Sequence, residues 1–222
     1  MTQLSSTPTG TARGTARTQS WRVVDIVVAA VLAAACAVIF WMWSNLLYPV
    51  VSTAAVAYPP SAGLISGGWL VAGTLGALII RKPGAALFCE LLAAVLEGFL
   101  GTHFGWTVVI SGLVQGLGAE LVFLLTGYRR FGLAVATAAG ALSGLFLGVS
   151  EDIMYNYEWA LDQKVVYAAL TTLSGAVIAG ALMWLVVRAL QAPSTPVACS
   201  ARTTSHIRAP AITAPERVVR AA

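Results

Sequence analysis

Residues 22–43 read RVVDIVVAAVLAAACAVIFWMW. Beyond Asp25 no charge interrupts this run, and it has the roughly 20 residues that a helix needs to cross a bilayer. The stretch Leu32-Ala33-Ala34-Ala35-Cys36 looks like a lipoprotein cleavage site. The run nevertheless stays apolar through Trp43, which marks a retained helix rather than a removed signal peptide. Five further apolar segments follow, at about 62–80, 84–101, 107–127, 131–149 and 165–188. The pattern predicts an all-α integral membrane protein, a six-transmembrane-helix bundle. The third and fourth segments are the least typical, because each carries carboxylates.

Composition agrees with this architecture. Of 222 residues, 58% are hydrophobic and only 10% are charged, and mean hydropathy is +0.81. Soluble domains carry about a quarter charged residues. The 21 glycines suit closely packed membrane helices. Residues 1–20, rich in Thr, Ser, Gly and Arg, predict a disordered cytoplasmic tail. Residues 191–222, with Pro193, Pro196, Pro210 and Pro215, predict another. The six-helix membrane domain spans 21–190.

The basic residues orient the bundle. Arg13, Arg17 and Arg22 precede the first span, Arg81 and Lys82 separate the second from the third, and Arg129 and Arg130 separate the fourth from the fifth. Arg188 ends the sixth, with Arg202, Arg208, Arg217 and Arg220 beyond it. The alternate connections are nearly free of positive charge: 44–61 and 102–106 have none, and 150–164 has only Lys164. This alternation predicts both termini in the cytoplasm, N-in and C-in.

Several function classes fall away. The net charge of +4 resides in tails and connections, with no basic, aromatic-interleaved face for nucleic acid. Cys36, Cys89 and Cys199 have no metal-ligand spacing, and two of them read as small buried hydrophobes. The phosphate-cradling pattern G-x-x-x-x-G-K-[ST] is missing, so the chain has no ATP site of that type. The only histidines are His103 and His206, and no nucleophile has an evident base. Neither catalysis nor a cofactor is expected.

Ionisable groups inside membrane spans are costly and mark function by default. Glu90 and Glu97 lie on the third span, seven residues apart and therefore on one helix face. Glu97 is about one turn from the outer end, and Glu90 is near mid-membrane. Gln115 sits halfway along the fourth span, and Glu120, five residues on, points elsewhere and nearer the cytoplasm. The outer end is also rich in aromatic residues: Trp41, Trp43, Tyr48, Tyr58, Trp69, His103, Trp106 and the stretch Glu151-Asp152-Ile153-Met154-Tyr155-Asn156-Tyr157-Glu158-Trp159. An interfacial belt explains some of these rings. Rings together with carboxylates on one side of the membrane suggest more, an outward-facing site for a flat cation held by stacking, cation–π attraction and ion pairing. Ala29, Ala33 and Ala37 form a small-residue row on the first span, beside Ala30 and Ala34, at a spacing that lets another helix approach.

The stretches Asp25-Ile-Val-Val-Ala-Ala to Phe40-Trp41, Gly68-Trp69-Leu70-Val71-Ala72-Gly73, Ile80-Arg81-Lys82-Pro83-Gly84-Ala85-Ala86 with Glu90 and Glu97, and Gln115-Gly116-Leu117-Gly118-Ala119-Glu120 resemble the S components of energy-coupling factor transporters. The likeness is greatest to the thiamine or hydroxymethylpyrimidine branch, the YkoE-like family. The resemblance implies a vitamin-capturing subunit of a prokaryotic cell membrane, docked on a transmembrane coupling (T) subunit through Ala29, Ala33 and Ala37. It also implies that a separate pair of ABC ATPase subunits supplies the energy. On chemistry and depth, Glu97, Gln115 and Glu90 are the expected polar contacts. Trp41, Trp69, Tyr155 and Trp159 are the expected rings, with His103 beside them. Two other readings stay open. One is a self-sufficient proton-coupled carrier using Glu90, Glu97 and Glu120, against which stand a short chain and no evident broken helices. The other is an assembly subunit without a ligand.

Overall fold

The structure, a computed structural model, describes residues 20–191. The expected tails and residues Cys199 and His206 fall outside that range, apart from Ser20 and Gln191 at its edges. The described residues contain no strand and make six helical passes. The first pass is α1 (Val23–Met42), a π-helical turn (Trp43–Leu47) and α2 (Tyr48–Ala54). The second joins a 3-10 stretch (Pro59–Leu70) to α3 (Val71–Ile80). Single helices α4 (Ala85–Leu100), α5 (Thr107–Leu125) and α6 (Leu133–Met154) follow. The sixth is α7 (Leu161–Ser174), a π-helical stretch (Gly175–Leu182) and α8 (Met183–Gln191).

Five of these passes are long and apolar enough to cross a membrane unaided. The exception is α4, whose 16 residues reach only about 24 Å. Gly84 and Gly101, both at φ 82°, bound it, a backbone conformation that ends helices.

Several sequence-predicted boundaries are corrected. The expected outer loop at 44–61 is mostly helical. Pro49 lacks an amide hydrogen and would clash with the carbonyl four residues earlier. The π turn just before it widens the helix, with the Tyr48 amide bonding back to Trp43 O, and the chain stays helical. Glu151 and Asp152, expected in a loop, belong to the last turn of α6. The expectation of unbroken helices is also overturned, since the first, second and sixth passes all change helical type.

The end that gathers Arg22, Arg81, Lys82, Arg129 and Arg130 is knotted by two carboxylates. Asp25 pairs with Lys82 and Arg22. Glu120 accepts the amides of Gly84 (2.6 Å), Ala86 (2.9 Å) and Leu87 (3.2 Å) and the Tyr128 hydroxyl (2.6 Å). Glu120 thus caps the N-terminus of α4, where orphan amides and the positive end of the helix dipole favour a negative group. The Tyr128 phenol, outside the spans, is held above its usual range by burial and by the Glu120 carboxylate. The two sequence strings Arg-Lys-Pro-Gly-Ala-Ala and Gln-Gly-x-Gly-Ala-Glu meet in this one contact.

Small residues set the packing distances. Gly140, Gly144 and Gly148 form a stripe on α6. A Cβ on them would come within 2.2 Å of Gly175 O, 2.2 Å of Thr171 O and 2.3 Å of Thr171 Oγ1. Only glycine allows the sixth pass so close. Ala29, Ala33 and Ala37 are also packed inside the chain, exposed by only 0%, 0% and 1%. Their helix lies on α4, and the Cys89 thiol is 3.9 Å from Ala29 O. The docking role expected of this row is therefore corrected: the three alanines are buried within the protein's own bundle, where α1 packs on the second and third passes. Exposed instead are Val27, Val31, Ala34 and Val38.

Ala33→Leu should accordingly lower the melting temperature of the isolated protein in detergent, overpacking costing about 1–3 kcal/mol. Ala34→Leu should leave the melting curve unchanged. Equal curves for the two variants would refute the burial of the row.

Candidate functional site

The second pass changes from 3-10 to α geometry between Trp69 and Gly73, deep in the bundle. A continuous α-helix would join the carbonyl of Trp69 to the amide of Gly73. Two side chains serve these groups. Glu90 Oε2 accepts the Gly73 amide at 2.6 Å. The Gln115 amide nitrogen, turned to satisfy its neighbours, donates to Trp69 O (3.2 Å) and Glu90 Oε1 (3.1 Å). Side chains from α4 and α5 thereby splice the broken helix. Glu90 is 1% exposed, and Gln115 is buried beside it.

Towards the end away from the basic cluster, the six passes part around a cavity of about 310 Å³. Each pass contributes to its wall. The first gives Phe40 and Tyr48, the second Trp69, and α4 gives Glu97. The connection after α4 gives His103 and Phe104. Ser111 and Gln115 come from α5, Glu151 from α6, Tyr155 and Asn156 from the turn beyond it, and Tyr167 from α7. The rings meet edge to face: Tyr48 lies 5.7 Å from Trp69 and 5.0 Å from Phe104, and Trp69 lies 5.9 Å from Phe104. Such mutual contacts hold ring orientations without a ligand.

Glu97 is positioned through a buried relay. The Trp69 indole N–H donates to the Ser44 hydroxyl (2.8 Å), which donates to Glu97 Oε1 (2.5 Å). Ser44 is fully buried within the π turn. A carboxylate offers about four acceptor positions, so Glu97 keeps capacity for a further donor in the cavity. Glu151 is the second carboxylate on the wall, and its Oε2 accepts the Tyr167 hydroxyl. Among the described residues, no lysine or arginine lines the cavity. Lys164, in the first turn of α7, donates to Tyr157 O (2.9 Å).

Of the sequence-predicted contacts, the structure brings Glu97, Gln115, Trp69, Tyr155 and His103 together on this wall. It does not bring Glu90, Trp41 or Trp159 there. Glu90 lies beneath Gln115 as part of the splice. Trp41 ties α1 to the end of α4, its indole donating to Gly101 O at 2.9 Å. Trp159 stacks edge-on to Tyr167 at 5.6 Å and lines an adjoining hollow of about 330 Å³ that shares Tyr48, Asn156 and Tyr167 with the cavity. Sequence reasoning missed Ser44, Phe104, Ser111 and Tyr167. The signal for Tyr167 was available: a phenol near the outer end of an apolar span, on the side where other aromatics gather. Among the described residues, no group of three His, Cys, Asp or Glu side chains is placed to hold a metal ion.

Comparison with known proteins gives three concordant matches. A family described as "ABC-type cobalt transport system, permease component" matches residues 24–146. A Bacillus subtilis (strain 168) protein named as an HMP/thiamine permease protein, YkoE, is 33% identical over 168 residues, covering 74% of this chain and 81% of the relative. A solved structure described as "Crystal structure of an S-component of ECF transporter" superposes with a TM-score of 0.72 at 32% identity, covering 77% of this chain and 86% of that one.

The splice predicts that Glu90→Ala destabilises the fold. It strips a buried amide and a buried carboxamide of their acceptor, at a cost of about 2 kcal/mol. Thermal unfolding in detergent should show a larger loss for Glu90→Ala than for Glu97→Ala, whose carboxylate accepts one side-chain donor. The reverse order would remove the splice as a stability determinant.

Proposed function

The chain belongs to the S-component family of energy-coupling factor transporters, the substrate-binding membrane subunits of vitamin importers, and from that membership we propose that it captures thiamine or its hydroxymethylpyrimidine precursor. It is a multi-pass membrane protein, and its relatives are transport components rather than enzymes. Capture would take place from outside a prokaryotic cell, with the basic end in the cytoplasm. A transmembrane coupling subunit and a pair of ABC ATPases would drive transport. The relative's name supports the choice of vitamin.

The observation that carries this reading is a cavity walled by aromatic rings and two carboxylates, with no lysine or arginine on it among the described residues. Thiamine is a two-ring cation. Its aminopyrimidine presents a flat edge of donors and acceptors, and its thiazolium carries a permanent positive charge. Glu97, with an acceptor position to spare, takes the exocyclic amine of the pyrimidine. Gln115 and Ser111 lie along the same wall to complete the polar edge. Trp69, Tyr48 and Phe104 offer faces and edges to the rings, where a cation gains from the aromatic quadrupole. Ser44 and Trp69 fix Glu97 before the ligand arrives, which lowers the ordering cost of binding.

A self-sufficient proton carrier would use Glu90, Glu97 and Glu120 as a relay. Glu120 accepts four hydrogen bonds at the basic end, and Glu90 is engaged in the helix splice. Both therefore have structural employment, which favours the capture reading.

Two measurements test the proposal. In a thermal-shift screen in detergent against thiamine, hydroxymethylpyrimidine, riboflavin and biotin, only the first two should raise the melting temperature. A ligand at 100 times its Kd adds about 2.7 kcal/mol to the folded state. Stabilisation by riboflavin or biotin alone would overturn the choice of vitamin. By calorimetry, Glu97→Gln should weaken thiamine binding about tenfold or more while leaving the ligand-free melting curve intact. Unchanged affinity would remove Glu97 from the site.

A further inference from the structure

The cavity has a second carboxylate, and the family relationship assigns it nothing. Glu151 ends α6, on the wall across α5 from Glu97: α5 packs on α4 to one side and α6 to the other. Its hydrogen-bond partner is a phenol, the hydroxyl of Tyr167 from α7. Tyr167 is itself buried, at 8% exposure, and lines the same cavity. The charged groups around Glu151 bring no cation to it. Asp152 is acidic and accepts from Asn156 Nδ2 (3.3 Å), and Lys164 is turned to the Tyr157 carbonyl.

The surroundings of the two carboxylates differ in a way that matters chemically. Glu97 belongs to a polar set of Ser44, the Trp69 indole and, along the wall, Ser111 and Gln115. That set suits a heterocycle edge with alternating donors and acceptors. Glu151 is held by an aromatic neighbour, and the side-chain amide of the nearby Asn156 is turned to Asp152. Glu151 is half-buried; a carboxylate drawn partly out of water with no cation beside it carries a cost, which a ligand that brings a positive charge offsets.

We infer that Glu151, held in place by Tyr167, is the cation-selecting anchor of the cavity, pairing with the positively charged ring of a two-ring ligand while Glu97 and Gln115 read the uncharged ring. This assignment rests on the vitamin-capture reading and makes Glu151 the residue that separates thiamine from its one-ring precursor. Tyr167 is a positioning residue: it contacts Glu151 and fixes the direction in which the carboxylate faces.

The test is calorimetry on the full chain in detergent, at mildly alkaline pH where the aminopyrimidine is neutral. The ligands are thiamine, hydroxymethylpyrimidine and 3-deazathiamine, a neutral thiophene isostere of thiamine. The wild type should bind thiamine more tightly than the isostere. Glu151→Gln should weaken thiamine about tenfold or more and leave the precursor and the isostere unchanged, so that thiamine and isostere bind alike. Tyr167→Phe, which keeps the charge, should give a smaller loss confined to thiamine. Glu97→Gln should weaken all three ligands. A wild type that binds the neutral isostere as tightly as thiamine overturns the assignment, even if Glu151→Gln fails to fold. So does an equal loss of thiamine and precursor in Glu151→Gln. If the wild type binds neither thiamine nor the precursor, the capture reading falls and the assignment falls with it.

Discussion

A backbone amide or carbonyl in the hydrocarbon core of a membrane has no water to turn to, so every break in a helix must be answered by another part of the protein. This chain breaks its second pass between Trp69 and Gly73 and answers with Glu90 and Gln115. It begins its short third pass at the basic end of the bundle and answers the amides there with Glu120. Both carboxylates sit on spans, both are buried, and both accept amides at the start of an α-helical segment. The helices α4 and α5, which supply these acceptors, are consequently fixed against α3 and against each other before any ligand is considered.

The breaks have a further use. A regular helix presents side chains in a fixed rotation of 100° per residue, which limits how many can converge on one point. The π turn at Trp43–Leu47 and the 3-10 stretch at Pro59–Leu70 change that rotation locally. Together they bring Ser44 and Trp69 into hydrogen-bond contact beneath Glu97. The same stretches are stapled elsewhere: the Trp43 indole donates to Ile65 O (3.0 Å), and the Ser174 hydroxyl donates to Leu64 O (2.6 Å) while accepting from the Gly67 amide (2.9 Å). The irregular backbone lies where it lines or supports a cavity, the one setting in which a membrane protein tolerates it.

Much of this architecture was legible in the sequence, and the reason is energetic. Apolar runs of bilayer length have few alternative uses, so six passes could be read. Carboxylates within such runs are expensive enough to be rare, so Glu97 stood out and fell on the cavity wall with Gln115, Trp69, His103 and Tyr155. Partner identity was not legible. Glu90 and Glu120 answer backbone amides, which every residue but proline carries, so no residue type in the sequence signals the match. The alanine rows show a different limit. In water, an apolar face marks the inside; in lipid, both faces of α1 are apolar. Periodicity alone could not decide whether Ala29-Ala33-Ala37 or the neighbouring Ala30-Ala34 faced the protein. The glycines at 140, 144 and 148 were a clearer sign of close approach, because no other residue permits the contact seen there.

The division of labour among the carboxylates follows from their partners. A carboxylate whose acceptor positions are filled by rigid backbone amides has little left to offer a ligand, and moving it would expose those amides. Glu120 and Glu90 are of this kind. Glu97 and Glu151 are each held by a hydroxyl instead, from Ser44 and Tyr167, which leaves acceptor positions of the carboxylate open. The two carboxylates that line the cavity are therefore the two that keep acceptor capacity without tying up backbone amides. In the same protein, burial alone does not distinguish an acid spent on the backbone from one with acceptor positions left over: Glu90 and Glu97 are almost equally buried, at 1% and 2% exposure. What separates them is whether the partner is the backbone amide of a helix start or a single side-chain hydroxyl.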